Sequence, residues 1–339
     1  MNRRTVLIAA LGFVLFAGVP GLAQEFQTKA EYDAYLALYN ETVTDRKVEL
    51  GEAFIAQYPD SEAASFAYQI LVATHFSVRD WRNVLDVTRR FEVALPDAST
   101  ETQSFIYRRA MASAQQTGDA DGIVRYGEHI LELDRNDLGA LLTLPPVILD
   151  NLPDFGTGVE RGLGRAFELA NRARLRAQTA YPSGSDDPQT NAQRAQVFSS
   201  IHMSLGTVHF KREDYDRAIQ EYETVLTYDR LHPLAHLQIG LSREFQAAES
   251  SRLLQQAAGN ELTVADDLPD DVESLRQDIL DTTELAMDSL ARAAALGGQS
   301  AAQARIELEK LYRSRNDDSL EGLEEFIEER RVELTAPPE

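Results

Sequence analysis

The chain has 339 residues, 43% of them hydrophobic, with 55 Asp and Glu against 33 Lys and Arg and a formal charge of −22. A field of that sign repels phosphate backbones and anionic lipid, which sets nucleic-acid binding aside, while the hydrophobic share suits a folded protein and not a disordered acidic tail. Without any cysteine, disulfides, thiolate catalysis, cysteine-held metals and a lipid-modified N-terminal cysteine drop out, and no cofactor is expected.

Residues 1–23 read as a signal peptide. Arg3 and Arg4 form a short basic start, Thr5 to Val19 is uncharged and apolar, and Gly21-Leu22-Ala23 supplies small residues for cleavage. The apolar run is shorter than the roughly 20 residues of a spanning helix. Cleavage after Ala23 is therefore expected, leaving Gln24 first in an exported protein, periplasmic or secreted, with no stable membrane insertion. Retention as an N-terminal anchor is the alternative. Asn2-Arg3-Arg4-Thr5 matches a twin-arginine signal only weakly.

Residues 24–178 divide into helical units in the frame of a stronger motif further on. Thr28 to Ser61 is one unit, closing on Tyr58-Pro59-Asp60-Ser61, which is helix-stop and next-cap chemistry. Ser65 to Ala98 is a second, with Trp81 opening its second helix and Pro96 near its end. Ser104 to Asp137 is a third, turned by Gly118-Asp119 and closed by Asp134-Arg135-Asn136-Asp137. The fourth begins at Leu138, is expected to break at Pro145-Pro146 and in a loop Asn151–Gly158, and resumes as helix near Val159–Ala177. Residues 179–198 are a polar loop, Tyr181-Pro182-Ser183-Gly184-Ser185-Asp186-Asp187-Pro188, and the lead-in to the next helix.

The strongest unit lies within 199–246. His202-x2-Leu205-Gly206-x2-His209 is followed by Ala218-x3-Tyr222, and Gly240 follows Gly206 by 34 positions. Between them, Arg212 to Ile219 reads as a polar turn into a second helix. An acidic insertion, 247–271, follows and is expected to be a loop; it contains Asp266-Asp267-Leu268-Pro269-Asp270-Asp271. Residues 272–334 return to helical hairpins through Ala286-x3-Leu290-x2-Ala293, end in a more polar capping hairpin from Ala301 to Val332, and leave a tail, 335–339.

The spacing at 199–240 resembles the tetratricopeptide repeat, W-x2-L-G-x2-Y then A-x3-F at a period of thirty-four. The resemblance implies an all-α fold, a solenoid of helix-turn-helix repeats in a right-handed superhelix. With short connections outside 151–158, 179–191 and 247–271, one solenoid is expected, a hinge near 179–191 staying open. Leu205, Gly206, Ala218, Tyr222, Gly240, Ala286, Leu290 and Ala293 are the packing positions, small residues letting helix backbones approach and large ones filling the space beside them.

Chemistry is sparse. His232 and His236 stand four apart, a spacing that can hold zinc on a helix, but His232 precedes Pro233 as a cap would and no metalloprotease Glu follows. Gly156-x-Gly158-x3-Gly162-x-Gly164 has the wrong spacing for a phosphate loop and reads as a connection between helices. Asp266 to Asp271 lacks the Gly and closing Glu of a calcium loop. A metal-binding protein or hydrolase is the least favoured alternative, and a non-catalytic protein is expected.

In the tetratricopeptide family, ligands lie along the face made by each repeat's first helix. The resemblance places Phe66, Gln69, Ala73 and Phe76 there in the second unit, and Phe105, Arg108, Ala112 and Gln115 in the third. The strong unit offers Ser200, Met203, Thr207, Phe210 and Lys211, and the next one Leu234, Leu237, Leu241, Glu244 and Phe245. Met203, Thr207 and Gln238 stand where chaperone-binding members carry Lys and Asn, which argues against that ligand. The apolar stripe Leu234, Leu237, Leu241 and Phe245, with Met203, Thr207 and Phe210, is the candidate groove for an apolar peptide or partner helix. The alternative is that the insertion or a subunit contact covers it. The expected role is a scaffold or adaptor in the cell envelope binding a protein or peptide, with a homo-oligomeric structural component as the second reading.

Overall fold

The structure, a computed structural model, describes residues 26–153, 157–184, 186–258 and 270–336. The signal segment, Gly156, Ser185, Asp266-Asp267-Leu268-Pro269 and the end of the tail lie outside the described residues. Every regular element among them is helical. The fold is all-α, built from helical hairpins packed on their neighbours, in two compact units that meet in sequence at Arg135 and Asn136. No described helix is long and apolar enough to cross a membrane.

The first unit holds three hairpins: α1 (Lys29–Asn40) with α2 (Thr44–Gln57), α3 (Ala64–Ser77) with α4 (Trp81–Ala94), and α5 (Thr100–Thr117) with α6 (Ala120–Leu133). Its start is well capped. The Thr28 hydroxyl accepts from the Glu31 amide at 3.1 Å, and Glu31 in turn accepts from the Gln27 amide at 2.8 Å. The same buried Glu31 accepts from the Ser61 hydroxyl, tying the first helix to the repeat boundary thirty residues on. Gly51 lets α2 close on α3, since a Cβ there would meet Leu71 at 2.6 Å.

The second unit holds four: α7 (Leu138–Asp150) with α8 (Thr157–Ala180), α9 (Pro188–Lys211) with α10 (Tyr215–Tyr228), α11 (Pro233–Ala258) with α12 (Asp270–Leu296), and α13 (Gln299–Arg315) with α14 (Leu323–Thr335). α8 and α9, on either side of the polar 179–191 connection, pack on each other. Within this unit Arg230 donates to the carbonyls of Leu334 and Ala336 and holds the end of α14 at the α10–α11 turn.

Three hairpins turn in the same way. Arg79, Gly118 and Glu213 take left-handed φ of 60°, 68° and 60°. The next amide reaches back five residues, Asp80 to His75, Asp119 to Ala114 and Asp214 to His209. Those aspartates then cap the second helix by accepting from the amides of Asn83, Gly122 and Arg217. Asp80 and Asp214 also meet a histidine on the preceding helix, His75 at 3.1 Å and His209 at 3.4 Å.

Three expectations are corrected. Pro145 and Pro146 do not break the fourth unit: α7 runs through them to Asp150. Neither proline can donate to the carbonyl four residues back, but α7 buries Leu141, Leu144 and Leu149. Gly158, Gly162 and Gly164 are helical, in α8, and not part of a connection. The insertion is not a loop throughout, since 247–258 continue α11 as helix and α12 already begins at Asp270. Gly206 faces Tyr222 sixteen positions on, whereas Gly240 faces Leu290 fifty positions on. The added residues therefore lengthen both arms of one hairpin.

Candidate partner-binding surface

The packing positions all lie inside. Leu205, Ala218, Tyr222, Ala286, Leu290 and Ala293 are buried, and so are Gly206 and Gly240. A Cβ on Gly206 would stand 2.5 Å from the Tyr222 ring, and one on Gly240 would stand 2.6 Å from Leu290 Cγ and 3.2 Å from its backbone nitrogen. The hairpins close only because those Cβ atoms are missing.

The candidate stripe on α11 does not survive as one groove. Leu237 is 1% exposed, in a core with Met287, Leu290 and Ala291 of α12 and Ala304 and Leu308 of α13. Leu241 is half-buried against the same core. Among the described residues, the helices that follow cover them. Met203 and Phe210 are half-buried against Ala218, Tyr222 and Ile239. The Thr207 hydroxyl is engaged: it donates to the Met203 carbonyl at 2.9 Å and accepts from Tyr222 at 3.3 Å. The ends of the stripe are its most exposed part, Leu234 at 39% and Phe245 at 47% exposure. At 1.5 Å rise per residue they stand about 16 Å apart along α11.

Phe245 belongs to an aromatic trio. Its ring stacks on Tyr215 at 5.6 Å with planes 10° apart, and Phe210 meets both edge-on, at 5.7 Å from Tyr215 and 5.6 Å from Phe245. Such geometries follow the ring quadrupoles. Tyr215 opens α10 and Phe245 lies on α11, and beside them Gln246 donates to Asp216 at 2.7 Å, bridging the same two helices. Burial pushes the Tyr215 hydroxyl above its ordinary value, and the nearby Glu213 and Glu249 carboxylates push it the same way. Glu244, next to Phe245 in sequence, is raised by burial and then by Glu307 across on α13, with Lys310 opposing.

Tyr215 does not stand out in the sequence, because its charged neighbours make 212–219 read as a polar turn. A signal existed. His75-Phe76-x3-Asp80-Trp81 and His209-Phe210-x3-Asp214-Tyr215 share one spelling. In the first, Phe76 meets Trp81 edge-on at 5.2 Å, the counterpart of Phe210 on Tyr215.

The histidines have structural partners. His202 Nδ1 lies 2.6 Å from Glu221, and its ring stacks with Phe198 and Tyr228. His232 Nδ1 accepts from the Ala235 amide at 3.1 Å, a cap, and His236 Nε2 meets the Arg230 carbonyl at 3.0 Å. The two rings are thus committed separately. Burial holds His236 below the usual histidine range. Among the described residues no three His, Asp or Glu side chains are grouped to hold a metal ion.

Of the other positions expected on the concave face, Phe105 carries the Arg109 guanidinium 3.5 Å above its ring, with Phe76 at 5.9 Å. Gln69 donates to Thr102 at 2.8 Å and joins α3 to α5. Arg108 donates to Ser104 along its own helix. Polar side chains on this face thus partly serve the stack itself.

No protein-family model matches the chain, and no curated protein matches it in sequence. Among solved structures, it is similar to a crystal structure of MamA protein, at 19% identity over 57% of this chain and 94% of that one, with a TM-score of 0.26.

Proposed function

We propose that this chain is a non-catalytic scaffold of the tetratricopeptide type, exported to the cell envelope, that holds a protein or peptide partner. The observation that carries the reading is the Phe210, Tyr215 and Phe245 trio, in which Phe245 is 47% exposed and the other two rings are partly buried. Exposed aromatic rings of this kind are typical anchors in protein interfaces, where rigid side chains bring large contact area at low entropic cost. The helical-hairpin fold supports it in a general way, since stacked hairpins present extended faces. Export rests on residues 1–23.

Photo-crosslinking in cells tests the reading. A photoreactive residue replaces Phe245 or Leu234, and another replaces Val93, which is 85% exposed on α4, as the control. Discrete products with another protein, from α11 and not from Val93, are the expected result. Self-crosslinks from Phe245 instead would establish the homo-oligomer. Patterns indistinguishable from Val93 would remove the scaffold reading. The N-terminal residue of the purified protein tests export, with Gln24 expected.

A further inference from the structure

We infer that the trio of Phe210, Tyr215 and Phe245 is a seat for a cationic side chain, so that the partner docks there through an arginine or lysine of a basic segment. This rests on the scaffold reading and narrows it to one partner chemistry.

The geometry comes first. Tyr215 and Phe245 are stacked, and the edge-on Phe210 fixes both. Phe245 is 47% exposed, so part of this aromatic cluster is within reach of a visitor. An aromatic face attracts a cation lying within about 6 Å of its centroid. Among the described residues, the arginines that stand over rings, Arg109, Arg125, Arg194, Arg212 and Arg330, stand over others.

The charge around the rings selects the same occupant. The Glu213 and Glu249 carboxylates both raise the Tyr215 hydroxyl, and Asp216, next to Tyr215 in sequence, accepts from Gln246, next to Phe245. An apolar helix laid on these rings would take those carboxylates out of water with no new partner, Glu249 facing Arg252 at 4.0 Å and Asp216 the neutral Gln246, which is costly. A guanidinium or ammonium group satisfies rings and carboxylates together. The formal charge of −22 steers a basic segment toward the chain and an acidic one away.

The test uses the mature chain and three labelled, amidated peptides of glycine alternating with arginine, lysine or glutamate, followed by fluorescence anisotropy. The arginine peptide should bind, the lysine peptide more weakly and the glutamate peptide not at all. Phe245→Leu keeps the charge and most of the apolar area but loses the π face, and should weaken arginine-peptide binding about fivefold. Glu249→Gln should weaken it at low salt and matter less at roughly 0.3 M salt. Glu325→Gln, the same charge change on α14, should leave it unchanged. Arginine and glutamate peptides binding alike, or the arginine peptide failing to bind, overturns the inference. So does wild-type affinity in Phe245→Leu, which would leave only general attraction to an acidic surface. Should Phe245→Leu melt early, Glu249→Gln against Glu325→Gln decides. If crosslinks form from Phe245 in cells while the peptides fail, the scaffold stands and only the cationic occupant falls. Peptide binding without cellular crosslinks rejects the scaffold reading and keeps the seat.

Discussion

Gly206→Ala should destabilise the second unit, and Gly164→Ala should stabilise it. Both glycines are helical, so each alanine gains about 0.8–1.0 kcal/mol of helix propensity. At Gly164 nothing lies within 4 Å of the new methyl, and that gain should appear nearly whole. At Gly206 the methyl would stand 2.5, 2.7 and 2.9 Å from three atoms of the Tyr222 ring. The ring is fully buried and its hydroxyl is bonded to Thr207, so it cannot swing out. Overpacking of this kind costs ~1–3 kcal/mol, and helix α9 must back away from α10. The balance is a net loss of ~0–2 kcal/mol at Gly206 against a gain at Gly164. Thermal melting followed by circular dichroism reads the two with opposite sign, at about 2–4 °C per kcal/mol for a unit of this size. Gly206→Ala melting as high as Gly164→Ala would refute the close approach of α9 and α10.

Leu237→Ala should cost ~2–5 kcal/mol, as for a fully buried leucine, whereas Leu234→Ala, four-tenths exposed on the same helix, should cost well under half of that; equal urea midpoints would contradict the burial of the stripe. Glu213→Gly should raise stability by roughly 0.5–1 kcal/mol, because relief of a left-handed residue, about 1–2 kcal/mol, exceeds the glycine entropy of about 0.5–1 kcal/mol; a lower melting point would show that Glu213 makes a compensating contact. His236 is held below its ordinary value by burial, so the unfolded chain takes up its proton first as pH falls. Stability is therefore complete above about pH 6.5 and declines as the pH drops below it; His236→Gln should flatten that part of the melting profile, and an unchanged profile would refute the role.

Much of the hairpin order can be read along the chain, because the signals are local. Asp80, Asp119 and Asp214 announce second-helix starts, and Gly206 with Ala218 and Tyr222 announces one packed pair. Where reading failed, the deciding contacts were tertiary. Pro145-Pro146 breaks a helix on local grounds, but the burial of Leu141, Leu144 and Leu149 in α7 outweighs them. Residues 247–258 carry no Pro or Gly, which suits helix, and the acidic run that suggests a loop, 266–271, lies beyond them. The stripe of α11 is visible as a pattern, yet nothing in 233–246 tells that Ala304 and Leu308 of α13 cover Leu237. Tyr215 and Phe245 are thirty residues apart and meet only because α10 packs on α11.

The most direct test of the aromatic surface is oxidative footprinting of the purified protein and of intact cells that make it. Tyr39, 51% exposed on α1, is the internal reference for an aromatic ring of similar exposure. With a partner seated on α10 and α11, Tyr215 and Phe245 are protected in cells relative to the purified chain while Tyr39 oxidises equally in both. Equal oxidation of all three rings in the two settings would contradict the claim that this surface is where the chain meets its partner.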